Sequence, residues 1–115
     1  MERENVVVTK SVSFAIDIIA FCEVLENNKK YVVAKQLLKS GTSIGANIHE
    51  AQNAESRADF IHKVKIAAKE IEETKYWLLL CEKAPTYPFD ESLKPRITEL
   101  GLIVYKILSS SKNNK

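Results

Sequence analysis

The sequence predicts an all-α protein, an antiparallel up-down-up-down four-helix bundle formed by a single domain over residues 1–115. Three observations carry that expectation. The chain holds only three Gly and three Pro, too few turn formers for the many short connections of an all-β fold. Apolar residues recur by threes and fours in four segments, about 5–27, 31–53, 56–84 and 91–110, the spacing that lines one face of an α-helix. The breaks between them are short, and helices roughly 30 Å long joined by short connections pack antiparallel. A chain of this size buries roughly two-thirds of its unfolded surface, enough for one core.

In the first segment Phe14, Ile18, Phe21, Cys22 and Leu25 share a helical face, while Val12, Ile16 and Ile19 form a second flank. That arc is wider than one core needs and points to a second burial surface, against another subunit or a partner protein. Asn27-Asn28-Lys29-Lys30 interrupts the pattern. The second segment places Ala34, Leu37, Leu38, Gly41, Ile44, Gly45, Ile48 and Ala51 on one stripe. Each Gly costs a helix roughly 1 kcal/mol relative to Ala, so two on the packed face imply close approach of a neighbouring backbone. The alternative is a break at Gly41-Thr42-Ser43, with Thr42 or Ser43 capping a new helix.

The third segment opens at Ser56, an N-cap with Asp59 three residues on. It continues through Phe60, Val64, Ala67, Ile71, Thr74, Leu78 and Cys81. It stops at Ala84 because the following proline pushes its predecessor out of the helical region. Asp90 or Ser92 caps the fourth segment, whose seam is Leu93, Ile97, Leu100, Val104 and Ile107, with Pro95 tolerable only in the opening turn. Ser109 to Lys115 reads as a polar tail that frays.

Seventeen Lys and Arg against fifteen Asp and Glu leave a net charge of +2, far from the basic balance that marks a nucleic-acid binder by composition. The charge is uneven along the chain: −3 over residues 1–28, +3 over 29–54, neutral over 55–83 and +2 over 84–115. Cys22 and Cys81 lack the spacing of a redox or zinc pair and read as buried, reduced thiols of a cytoplasmic protein. Met1-Glu2-Arg3-Glu4 is too acidic for a signal peptide, and no apolar run reaches the length of a membrane span. No membrane partner is expected.

From Gln36 to Cys81 the chain reads QLLKSGTSIGANIHEAQNAESRADFIHKVKIAAKEIEETKYWLLLC. This stretch resembles the four-helix-bundle proteins encoded by intervening sequences in bacterial 23S rRNA genes, through a SIGANI-x-EA stretch, a DFI with a basic residue after it, and an ET-x-x-WL ending. The motif falls on Ser43, Ile44, Gly45, Ala46, Asn47, Ile48, Glu50 and Ala51, on Asp59, Phe60, Ile61 and Lys63, and on Glu73, Thr74, Trp77 and Leu78. Relatives carry a Phe-Pro pair in the first connection, where this chain has Glu26-Asn27-Asn28-Lys29-Lys30. The resemblance implies a ring-like homopentamer without established enzymatic activity. A weaker similarity reaches the accessory variability protein of diversity-generating retroelements, a pentamer that binds nucleic acid together with a reverse transcriptase.

Several residues invite a chemical role. Asn47 and Glu50 flank the apolar stripe, within reach of Lys69, Glu73 or Thr74 on the third helix, where a polar network fixes register. Asp59-Phe60-Ile61-His62 has the acid-x-x-His spacing of a di-metal bundle, but such sites need two motifs and further carboxylates; His49 precedes Glu50 without the second His of a zinc helix. Tyr76 and Trp77 suit a core, an interface or a base-stacking platform. Lys35, Lys39, Arg57, Lys65 and Lys69 are the candidate nucleic-acid contacts, with Lys69–Glu73 and Asp59–Lys63 expected to pair within their helix. No nucleophile elbow, phosphate loop or paired-carboxylate arrangement is present. The expectation is therefore a non-catalytic, cofactor-free, homo-oligomeric accessory protein, binding RNA or DNA or serving as a scaffold. The alternative is a module that docks a partner protein through the apolar face of the first helix.

Overall fold

The structure, a computed structural model, describes the backbone of residues 2–113 and the side chains of residues 6–111. It contains α1 (Glu2–Asn27), α2 (Tyr31–Gln52), α3 (Arg57–Lys83) and α4 (Leu93–Asn113), and no strand among the described residues. Three boundaries move by two residues or more relative to the sequence pattern. α1 starts at Glu2 rather than near residue 5, and α4 runs from Leu93 to Asn113 rather than 91–110. The polar tail from Ser109 is thus helical as far as Asn113, while Asn114 and Lys115 lie outside the described residues.

α1 stops because Lys29 turns into the left-handed region, φ 63°. Its amide donates to the Glu26 carbonyl at 2.9 Å, and the Lys30 amide to Leu25 at 2.8 Å, the paired reverse bonds that close a helix C-terminus, here with lysine where glycine is usual. α2 passes through Gly41-Thr42-Ser43 without a break. Thr42 and Ser43 turn their hydroxyls back onto the Leu38 and Lys39 carbonyls, at 2.7 and 2.6 Å, so neither caps a new helix. Ser56 caps α3, its Oγ accepting from the Asp59 amide at 3.0 Å. Ala84, in an extended conformation before Pro85, ends it. Asp90 accepts from both the amide and hydroxyl of Ser92, tightening the turn into α4.

Side-chain contacts fix every neighbouring pair as antiparallel. Between α1 and α2, Cys22 meets Ala34, Ile18 meets Gly41 and Ser11 meets Gly45, one numbering falling as the other rises. Ser40–Thr74 and Glu50–Lys63, both 2.9 Å, do the same for α2 and α3. Glu82–Lys94 at 2.6 Å, Lys75 over Gly101, and Arg57 donating to the Ser111 carbonyl set α3 against α4. Lys10–Glu99 at 3.2 Å and Arg96 with Asp17 return α4 to α1. The result is an up-down-up-down bundle measuring 49 × 20 × 20 Å.

One apolar core runs through it. Phe14, Ile18, Phe21, Cys22 and Leu25 meet the stripes of the other three helices, the four-three spacing keeping each stripe inward. The stripe of α2 differs from expectation at Leu38, which is exposed; its position past Gly41 and Gly45 carries it around the edge facing α1. At one end the α3–α4 connection lies across the bundle. Phe89 packs edge-on against Phe21 with ring centroids 6.3 Å apart, and Lys30 sits over the Tyr87 ring while donating to Thr86.

Candidate functional site

The outside of α1 carries the first unusual feature. Because α1 turns Ser11, Ile18 and Cys22 toward α2, helical geometry of about 100° per residue puts Val12, Ile16 and Ile19 on the adjoining outer flank. They are 40%, 59% and 44% exposed. Leu38 of α2, past Gly41 and Gly45 on the edge facing α1, adjoins this apolar surface and is itself exposed. Single exposed apolar residues are ordinary, whereas a contiguous strip marks an interaction surface.

The opposite side of the bundle carries a second such surface, which the sequence pattern did not reveal. Tyr76 and Leu79 of α3 and Leu102 and Tyr105 of α4 are exposed. Between these helices lies a recess of about 170 Å³, floored by Leu78, Leu79 and Ile97 and bordered by Thr98, Lys75 and Lys94. Nearby, the Lys75 and Ile71 side chains lie over Gly101 at ordinary contact distance. The signal was present in the i, i+3 spacing of Leu102 and Tyr105, one position off the buried seam.

The five candidate cations do not gather. Arg57 is drawn to the Ser111 carbonyl, 2.9 Å away at the C-terminal end of α4. Lys39 and Lys69 flank Glu70, whose carboxyl is raised above its ordinary value by burial and by neighbouring Glu73, with the two lysines opposing the shift. Lys35 and Lys65 are exposed on different helices, and among the described residues none of these four lysines closes an ion pair.

The polar residues of the motif find other partners than the sequence suggested. Asn47 donates to the Ser43 carbonyl of its own helix at 2.9 Å. Glu50 binds Lys63 rather than Lys69, and raises the Lys63 pKa through that hydrogen bond. Asp59, expected to hold Lys63, accepts instead from the Glu55 amide. Glu73, expected to hold Lys69, accepts from the Trp77 indole at 3.1 Å, with Tyr76 edge-on to the indole at 5.1 Å. A buried hydrogen bond between the Thr74 and Ser40 hydroxyls joins α3 to α2. Gly45 lies against Ser11, and Phe60 packs on the rim of the core.

His49 and His62 are both exposed, and among the described residues no group of three or more His, Cys, Asp or Glu is placed to hold a metal ion. Burial pushes the Cys22 thiol up to about 12, with Cys81 and Glu26 adding to it, and the Cys81 thiol up to about 11. Cys22 donates to the Ala34 carbonyl at 3.4 Å. Among the described residues no helix is long and apolar enough to cross a membrane.

These features place the chain among the small antiparallel four-helix bundles whose outer helix faces are partly apolar. Within that class it belongs to the 23S rRNA-intervening sequence protein family, whose model matches residues 3–106. It is similar to a protein of unknown function from the S23 ribosomal protein family of Bacteroides thetaiotaomicron. That crystal structure has a TM-score of 0.87 and 44% sequence identity, covering 93% of this chain and 98% of the other. No curated protein matches it.

Proposed function

We propose that this protein is a non-catalytic, self-assembling bundle of the cytoplasm, a homo-oligomer that acts as a scaffold or nucleic-acid-binding accessory factor. The observation that carries this reading is the uncovered apolar strip of Val12, Ile16 and Ile19 beside Leu38. Burying such a strip against another copy gains roughly 25 cal/mol per Å², which a monomer forgoes. The family resemblance makes five copies the expected ring.

A ring also bears on nucleic acid. Scattered on one chain, Lys35, Lys39, Lys65 and Lys69 make a weak surface, but repetition around a closed assembly multiplies phosphate contacts. The distant similarity to the accessory variability protein of diversity-generating retroelements supports the same direction.

Co-expression of tagged and untagged full-length chain tests the assembly. The tag recovers both forms; recovery of the tagged form alone leaves the module that docks a partner protein. A filter-binding titration of single-stranded RNA and DNA across salt tests the second part. Binding that weakens as salt rises supports it, and no retention even at low salt removes nucleic acid from the function.

A further inference from the structure

Resting on that self-assembly reading, we propose that the Ile16 strip of α1 in one copy seats in the recess between α3 and α4 of the next copy, a head-to-tail contact. In the cyclic order α1, α2, α3, α4, the strip and the recess lie on opposite sides of the bundle. Two different surfaces facing apart cannot form one isologous contact; they join heterologously, each copy offering its strip to one neighbour and its recess to the other.

Shape, height and charge agree. Ile16 is the most exposed apolar side chain of the strip, at 59%, and the recess of about 170 Å³ has an aliphatic floor of Leu78, Leu79 and Ile97, suited to a branched aliphatic side chain. The pairing of Asp17 with Arg96 sets Ile16 level with the start of α4. Lys94–Glu82 and Lys75 beside Gly101 bracket Leu79 and Ile97 at that same height. Strip and recess therefore meet at one height, so successive copies stand side by side and parallel with little rise. Such a row closes into a ring only where the two surfaces lie less than half a turn apart, so that each contact also rotates the next copy. Glu23, on the same outer flank of α1 as the strip, is exposed, and Lys75 and Lys94 line the recess together with Glu82, so the contact brings a carboxylate toward two cations.

The test uses Ile16→Asp and Leu79→Asp in the full chain, both at exposed positions, with circular dichroism to confirm the helical fold. Sedimentation velocity should show wild type as an assembly and each variant as a single 13.0 kDa chain. An equimolar mixture should restore a two-chain species, because the mixed pair retains one intact strip and one intact recess. Either variant keeping the wild-type mass overturns the proposal while leaving self-assembly standing. So does a mixture that stays as single chains, the behaviour of an isologous contact. A single-chain wild type removes the self-assembly reading and this inference with it. Ile16→Cys mixed with Thr98→Cys gives an independent readout. Oxidation should produce the crosslinked pair from the mixture and none from either variant alone, the native thiols being buried; no crosslink in the mixture contradicts the contact.

Discussion

The two seams that α1 makes are closed by opposite means. Against α2 the chain removes side chains: a Cβ on Gly41 would sit 2.8 Å from Ile18, and one on Gly45 would sit 3.3 Å from Ser11. Against α4 it extends them: Lys10 reaches Glu99, and Arg96 binds Asp17, donates to Ser13 and lies 5.8 Å from the Phe14 ring centroid. The first seam is dry and depends on shape. The second is partly exposed and depends on charge, which water and salt weaken. One helix thus has a stability-bearing side and an adjustable side, and the remaining outward arc is left apolar for other contacts.

Substitutions at the α1–α2 seam should break this contrast most visibly. Ile18→Ala empties the volume that Gly41 receives and should lower unfolding free energy by about 2–5 kcal/mol in urea titration. Gly41→Ala should cost about 1–2 kcal/mol in the same assay, because crowding against Ile18 outweighs the gain in helix propensity. A stabilised Gly41→Ala would show that the helices can move apart at no cost.

Alkali should act on the core that this seam borders. The Cys22 and Cys81 thiols are held above the ordinary value of 9.0 in the folded chain, so their contribution is intact below pH 9 and is lost as pH rises toward their folded values. The loss is at most about 1.4 kcal/mol per thiol for each pH unit above that point. Cys22→Ala should flatten the fall measured by thermal melts between pH 9 and 11. The α1–α4 seam should respond least. Arg96→Ala should cost no more than about 1 kcal/mol, and that cost should shrink in molar salt.

Much of this was legible in the sequence, within a limit set by looking at one helix at a time. The seam Leu93, Ile97, Leu100, Val104 and Ile107 is buried as its spacing requires, since periodicity reports directly which face turns inward. Gly41 and Gly45 announced a close approach, but not that Ile18 and Ser11 fill it, because that depends on the rotation of α1 about its own axis. Ion pairs expected within α3 gave way to other partners: Lys63 crosses to Glu50 on α2, and Glu73 accepts from the Trp77 indole four residues on rather than pairing with Lys69 four residues back. The recess between α3 and α4 was hidden because Lys75, Leu78, Leu79 and Glu82 of one helix and Lys94, Ile97 and Thr98 of the other line it together, and spacing along a single helix does not encode such a pairing.

Whether another copy of the chain covers the apolar strip of α1 is read from the mass in solution. Sedimentation equilibrium of the full chain at several concentrations should give a multiple of 13.0 kDa, with five copies expected from the family. A mass of one chain at every concentration would show that no second copy covers the strip.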